Sequence, residues 1–299
     1  MTSGVSGATE AGARMVGKIC VVTGASTGIG KATAAGLARQ GATVVIVCRD
    51  AGRGEAARTE IARQSAGGAV ELVLADLSSM ASVRALADEL ARRHDRLHAL
   101  VNNAGVSLTR RTVTAEGIET TFAVNHLASF LLTNLLLDRL RAGAPARVVN
   151  VASAAHSKSI DFDNLQGEKE YSTFRIYGAS KLMNMLFTSE LSRRLEGSGV
   201  TANSVHPGVV GTELDRDYSG ALRMVFKVAR LFMITPEKGA EGPVHLASAP
   251  ELEGTTGQYF ERKKPGRPAP IALDAGAARR LWEISAELAG LVGGSPLST

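Results

Sequence analysis

Short apolar runs alternate with helix-patterned stretches along almost the whole chain, and no two runs are joined by a tight turn. Val16 to Thr23, Thr43 to Cys48, Val70 to Leu74, Leu97 to Val101, Arg147 to Val151 and Val200 to Val205 read as strands. Between them lie helical patterns at Gly30 to Gln40, Ala51 to Ala66, Ser79 to about His94, Thr114 to Val124, a Leu-rich stretch to Arg141, and Tyr177 to Leu195. Strands separated by helices are joined by crossovers, which gives parallel neighbours. The pattern therefore predicts one doubly wound α/β domain whose mostly parallel sheet has seven strands, flanked by helices. Gln258 to Phe260 supplies the last strand, and Pro236 to about Ala249 and Ala275 to Leu291 supply two more helices. Residues 1–14, rich in Gly, Ser, Thr and Ala, read as a disordered leader, and 15–299 as the single domain. Whether translation starts at Met1 or at Met15 stays open.

Composition excludes several classes. A hydrophobic content of 44% with 21% charge is that of a globular chain. The net charge of +5 comes from 34 basic against 29 acidic residues. The arginines are scattered at helical spacings, as at Arg53, Arg58 and Arg63, and the one basic cluster, Arg262 to Arg267, is broken by Pro265. No nucleic-acid stripe is formed, and aromatics are only 4%. Cys20 and Cys48 sit inside apolar runs and suit buried thiols of a reducing compartment. The histidines show no metal-ligand spacing, so no metal is expected. The greasiest segment, Leu127 to Leu140, is too short for a bilayer and carries Asn134 and Asp138. A cytoplasmic location is the expectation.

Two motifs carry chemistry. Thr23, Gly24, Ala25, Ser26, Thr27, Gly28, Ile29 and Gly30 lie between the first strand and the first helix. Glycines there permit a sharp turn and a close backbone approach, and a helix N-terminus attracts pyrophosphate. Further on, Tyr177 and Lys181 are one helical turn apart. A phenol titrates near pH ~10, and a fixed cation nearby lowers that value, so the pair is a candidate acid/base device, which its spacing alone does not distinguish from an ordinary helix face.

The order of these motifs resembles the short-chain dehydrogenase/reductase family. It runs from TGxxxGxG through Asn102-Asn103-Ala104-Gly105 and YxxxK to Pro207-Gly208 with Thr212, over roughly residues 17 to 261. Val148 to His156, His206 to Leu214 and the long interval from Ser153 to Tyr177 are similar to its retinol dehydrogenase-like and protochlorophyllide reductase-like branch. The resemblance implies a Rossmann-type fold and four catalytic positions. Tyr177 would be the acid in reduction and the base in oxidation, with Lys181 lowering its pKa and binding the nicotinamide ribose. Ser153 would hydrogen-bond the substrate oxygen, and Asn125 would hold a water linking Lys181 to solvent. Ala152 stands where many members have a second serine and Ala128 where glycine is common; neither change removes a catalytic group. Asp76 would contact adenine, Asn103, Ala104 and Gly105 would line the cofactor channel, and Pro207, Gly208 and Thr212 would adjoin the nicotinamide and phosphates.

At the end of the second strand a carboxylate selects NAD, whereas arginine accommodates the 2′-phosphate of NADP(H). Cys48 takes the acidic position and Arg49 follows, which points to NADP(H); Asp50 reads as the next helix's N-cap. Lys31 is left open between the phosphates and solvent. The expected activity is an NADP(H)-dependent oxidoreductase on CH-OH groups, interconverting a lipophilic carbonyl and its alcohol. The alternative is a non-catalytic NADP(H)-binding regulator on the same fold. Ala154 to Ile176 and Glu213 to Thr235 are the expected substrate-lid segments, the second with Phe226 and Phe232 on an apolar side. The helices Leu127 to Leu140 and Tyr177 to Leu195 are candidates for a homodimer interface.

Overall fold

The computed structural model describes residues 14–208 and 234–291. The leader (but for Arg14), Thr212, and most of the second expected lid, with Phe226 and Phe232, lie outside the described residues.

The sheet has the order β3-β2-β1-β4-β5-β6-β7-β8. Its strands are β1 Ile19–Thr23, β2 Thr43–Cys48, β3 Val70–Leu74, β4 Ala99–Asn102, β5 Ala146–Val151, β6 Val200–His206, β7 Tyr259–Glu261 and β8 Lys264–Pro265. All neighbours are parallel except β7 and β8. Among the described residues the count thus exceeds the expected seven by one short antiparallel strand. That strand also corrects the expectation of no hairpin: the chain reverses at Arg262, with φ 57°, and Gly266 N–H donates to Tyr259 O at 2.9 Å. A two-residue strand containing a proline has no alternating pattern to read.

Successive residues of a strand face opposite sides, and the two faces build two cores. Cys20, Val22, Val44 and Ile46 face one side, with α1 (Gly28–Ala38), α2 (Ala51–Ala62) and α8 (Pro236–Ser248). Val21, Val45, Leu100 and Val148 face the other. There lie α3 (Met80–Arg93), α4 (Thr120–Phe122), α5 (Ala128–Leu135), α6 (Leu137–Ala142), α7 (Thr173–Arg194) and α9 (Ala275–Leu288). Cys20 and Cys48 are both buried and free.

The helix expected from Thr114 begins only at Thr120. Gly117 has φ 80°, Val113 and Glu119 form an isolated antiparallel bridge, and Glu119 then caps the helix by accepting from Phe122 N at 2.7 Å. A π turn, Ala123–Leu127, joins α4 to α5, and α6 starts after a break at Leu136.

Strand order reverses around β1, with β2 on one side and β4 on the other. In open α/β sheets the crevice at such a switch point, outside the carboxyl ends of the strands, receives ligands. The segment between β5 and α7 closes over that end. Tyr171 donates to Leu108 O at 2.9 Å, Arg111 Nε to Gln166 O at 2.9 Å, and Glu119 N to Gln166 Oε1 at 2.9 Å. Leu165 is buried in the core.

Candidate active site

The turns after β1 and β4 are locked together. Thr23 Oγ1 accepts from Asn103 N at 3.0 Å and Ala104 N at 3.1 Å, and Asn103 Nδ2 donates to Thr23 O at 2.8 Å. A Cβ on Gly30 would lie 2.4 Å from both Asn103 Nδ2 and Gly24 O, and one on Gly24 would lie 2.8 Å from Ala104 Cα. Gly24 also holds φ 65°, a left-handed conformation that side chains disfavour. The Thr23 and Asn103 side chains, both expected at the cofactor, are thus engaged in joining two turns.

Helix α1 opens at Gly28 with Thr27 as N-cap, and Thr27 makes no side-chain capping bond. The first helical bond runs from Lys31 N to Thr27 O. Among the described residues no side chain caps the N–H groups of Gly28, Ile29 and Gly30, next to half-buried Ser26. Uncapped amides at the positive end of a helix fit a pyrophosphate.

At the far end of this crevice Cys48 turns into the core against Gly54, while Arg49 and Asp50 are exposed. Asp50 caps α2, accepting from Arg53 N at 2.8 Å. Lys31 is paired with Glu60 at 2.9 Å. Asp76 Oδ1 accepts from Ser78 N at 2.9 Å and Ser78 Oγ at 2.8 Å.

The catalytic candidates converge from three elements. Lys181, on α7, is buried and donates from Nζ to Val151 O at 3.1 Å. The same ammonium lies 5.6 Å from the centre of the Tyr177 ring. Burial pushes its pKa down to about 8, because the charged form has lost water. Asn125, in the π turn, accepts from Val106 N at 2.7 Å and donates to Val106 O at 2.9 Å and Ser180 Oγ at 3.0 Å. Ser180 in turn donates to Tyr177 O at 2.7 Å. Gly105 sits between the two, since a Cβ there would be 3.4 Å from both Asn125 Oδ1 and Lys181 Nζ. Ser153 stays partly open to solvent, its Oγ accepting from Ala155 N at 3.1 Å. Pro207 and Gly208 follow β6, and Gly208 has φ 102°.

Sequence reasoning missed Ser180 as the link between Asn125 and the Tyr177 helix, although it stands inside the YxxxK motif. It also missed Arg262, whose Nε lies 3.4 Å from the place of a Cβ on Gly208. No local signal connects the turns after β6 and β7 before the sheet forms.

A dinucleotide crevice at the switch point, with a buried lysine and a tyrosine beside it, defines a Rossmann-type oxidoreductase. The chain belongs to the short chain dehydrogenase family, whose model matches residues 18–222. It is 46% identical over 224 residues to retinol dehydrogenase 13 of Homo sapiens, covering 72% of this chain and 67% of that protein. A crystal structure of an uncharacterized protein from Mycobacterium Paratuberculosis is similar at TM-score 0.76 and 35% identity, over 92% of this chain and 94% of that one. The Pseudomonas aeruginosa RhlG/NADP active-site complex matches at TM-score 0.68 and 28% identity, over 90% and 99%. The protein is thus a carbonyl/alcohol oxidoreductase of the retinol dehydrogenase-like branch, using a nicotinamide dinucleotide. No helix among the described residues is long and apolar enough to cross a membrane.

Proposed function

We propose that the chain is an NADP(H)-dependent reductase of a lipophilic ketone or aldehyde, acting in the cytoplasm. The observation that carries this reading is the buried Lys181 ammonium held against the Tyr177 ring, one glycine away from Asn125. The bound dinucleotide supplies the hydride. As the hydride arrives, negative charge grows on the carbonyl oxygen, where a hydroxyl donor and an acidic phenol stabilise it. Tyr177 gives its proton to that oxygen, Ser153 donates a hydrogen bond to it, and Lys181 favours the phenolate left behind. Asn125, its side chain bonded to Val106 and Ser180, would hold a water between Lys181 and solvent.

NADP(H) is favoured by Arg49, exposed at the end of β2, with Asp50 committed to its cap. The NADP of the matched Pseudomonas aeruginosa complex agrees with this. Retinol is the alcohol named in the curated relatives, which supports a lipophilic substrate. The Ala154 to Ile176 segment, tied to Leu108, Arg111 and Glu119, forms one wall of the substrate site. The regulator reading is disfavoured because a sensor gains nothing from desolvating a lysine beside a phenol. The test is a panel of carbonyl compounds followed by NADPH absorbance, with Tyr177→Phe as control. Turnover is expected to vanish in the variant while NADPH binding persists. NADPH binding without turnover on any lipophilic carbonyl, or a variant within about tenfold of wild type, about 1.4 kcal/mol of barrier, overturns the reading.

A further inference from the structure

The helices expected to meet a second copy of the chain are covered over most of their length by the chain itself. From Thr121 to Asn134 every residue is buried, and from Ile176 to Ser192 none is exposed. The cover is α9. Its N-terminus is capped by Asp274, which accepts from Ala277 N at 2.8 Å, and its inner side carries Ala278, Leu281, Trp282 and Ser285. The Trp282 ring stands edge-on to Phe130 at 4.8 Å and is tilted against Phe187 at 5.9 Å. The Arg194 guanidinium lies 4.3 Å over its face and is itself bonded to the buried Glu190 at 2.7 Å. At the other end Arg84 Nη2 donates to Ala289 O at 2.6 Å and Gly290 O at 3.1 Å.

One contact of this cover reaches the catalytic apparatus. Ser285 Oγ lies 2.7 Å from Leu281 O. It stands 2.8 Å from His126 Nε2, and the two share a hydrogen bond whose donor depends on the imidazole tautomer. His126 is the residue after Asn125 in the same π turn and is wholly buried among Phe122, Phe130 and Phe187. Asn125 is therefore gripped from two directions. Its own amide is held by Val106 and Ser180 on the site side. The backbone that carries it is anchored by His126 to α9 on the other.

We propose that the C-terminal helix is part of the catalytic device, in that the Ser285–His126 hydrogen bond fixes the π turn and thereby the position of Asn125. Ser285 and His126 are positioning residues, and α9 braces from within the chain the two helices that a partner subunit was expected to brace. This rests on the reading of Asn125, Tyr177 and Lys181 as the reaction centre.

The experiment compares Ser285→Ala and Ser285→Thr with Arg84→Ala, which loosens the same helix at its far end without touching His126. Turnover of a carbonyl with NADPH and thermal stability are measured on the full chain. Small misplacements of a catalytic group are costly, so Ser285→Ala should lose on the order of tenfold in kcat with KM for NADPH little changed. Ser285→Thr, which keeps the hydroxyl, should recover most of it. Arg84→Ala should lower the melting temperature without that loss of kcat. Nitrogen NMR of the imidazole should show a hydrogen-bonded Nε2 in the wild type and a changed Nε2 signal in Ser285→Ala, a readout that does not depend on turnover. Unchanged kcat in Ser285→Ala, or an equal fall in Arg84→Ala, overturns the proposal. A wild type whose turnover survives Tyr177→Phe overturns instead the reading of the site.

Discussion

The Lys181 ammonium lies 5.6 Å from the centre of the Tyr177 ring while bonding to the Val151 carbonyl at 3.1 Å. One group thus ties α7 to the carboxyl end of β5 and sets the charge beside the phenol. Burial has brought its pKa down to about 8. Below that pH the lysine is charged and favours the phenolate; above it the support is withdrawn. In carbonyl reduction, kcat/KM for NADPH, which reports the free enzyme, should therefore fall as pH rises through about 8. Lys181→Met should be slow and flat across that range. A wild-type profile level to pH ~9.5, still below the ordinary lysine range, would detach the lysine charge from the reaction.

Cofactor choice should divide between Arg49 and Asp50. A charge-assisted contact with the 2′-phosphate contributes roughly 1.5–3 kcal/mol, so Arg49→Ala should weaken NADPH binding at least about tenfold and spare NADH. Asp50→Ala removes an N-cap and should cost about 1 kcal/mol of stability with the NADPH preference intact. Fluorescence titration with both dinucleotides checks the pair. If Asp50→Ala changes the preference and Arg49→Ala does not, the assignment is reversed.

The glycine turn makes a steric prediction. A Cβ on Gly30 would meet Gly24 O and Asn103 Nδ2 at 2.4 Å, whereas one on Gly52 meets only Asp50 Oδ1 at 3.6 Å. Gly30→Ala should separate the β1 and β4 turns, lowering stability by roughly 1–3 kcal/mol and weakening dinucleotide binding. Gly52→Ala, in an exposed helical turn, should be neutral or stabilising by up to about 1 kcal/mol. Urea unfolding of both variants decides it, and equal effects would mean that the two turns are not mechanically joined.

His126 predicts an acid sensitivity. Burial pushes its pKa down to about 4, below the ordinary value of 6.5. The unfolded chain then binds a proton that the folded chain refuses between those two values, so stability is intact above pH 6.5 and falls as pH drops toward about 4. At about 1.4 kcal/mol per pH unit the full loss is about 3 kcal/mol. His126→Asn should flatten that part of the pH dependence, measured by urea unfolding between pH ~4.5 and ~7, the span that brackets the ordinary histidine pKa. A variant as acid-sensitive as the wild type would place the proton elsewhere.

Much of this protein was legible in the chain. The β-branched runs Val21-Val22 and Val44 to Val47 have a strand's composition, and crossover helices make such strands parallel neighbours. The glycine turn, the Asp50 cap and the Tyr177–Lys181 spacing are local features, complete within a few residues. By itself the sequence determined the fold class and the glycine turn after β1, because each follows from periodicity or short-range stereochemistry, and it put Tyr177 and Lys181 one helical turn apart. What it left undetermined involves residues far apart along the chain. That Thr23 and Asn103 spend their polar atoms on each other's turns depends on β1 and β4 being adjacent. That Thr121 to Asn134 and Ile176 to Ser192 hold no exposed residue depends in part on α9, more than eighty residues beyond Tyr177, folding back over them. An apolar helix face shows only that something will cover it. Only the tertiary structure decided that the cover is Trp282 and Ser285 of the same chain, since burial of apolar area is non-directional and does not name its partner.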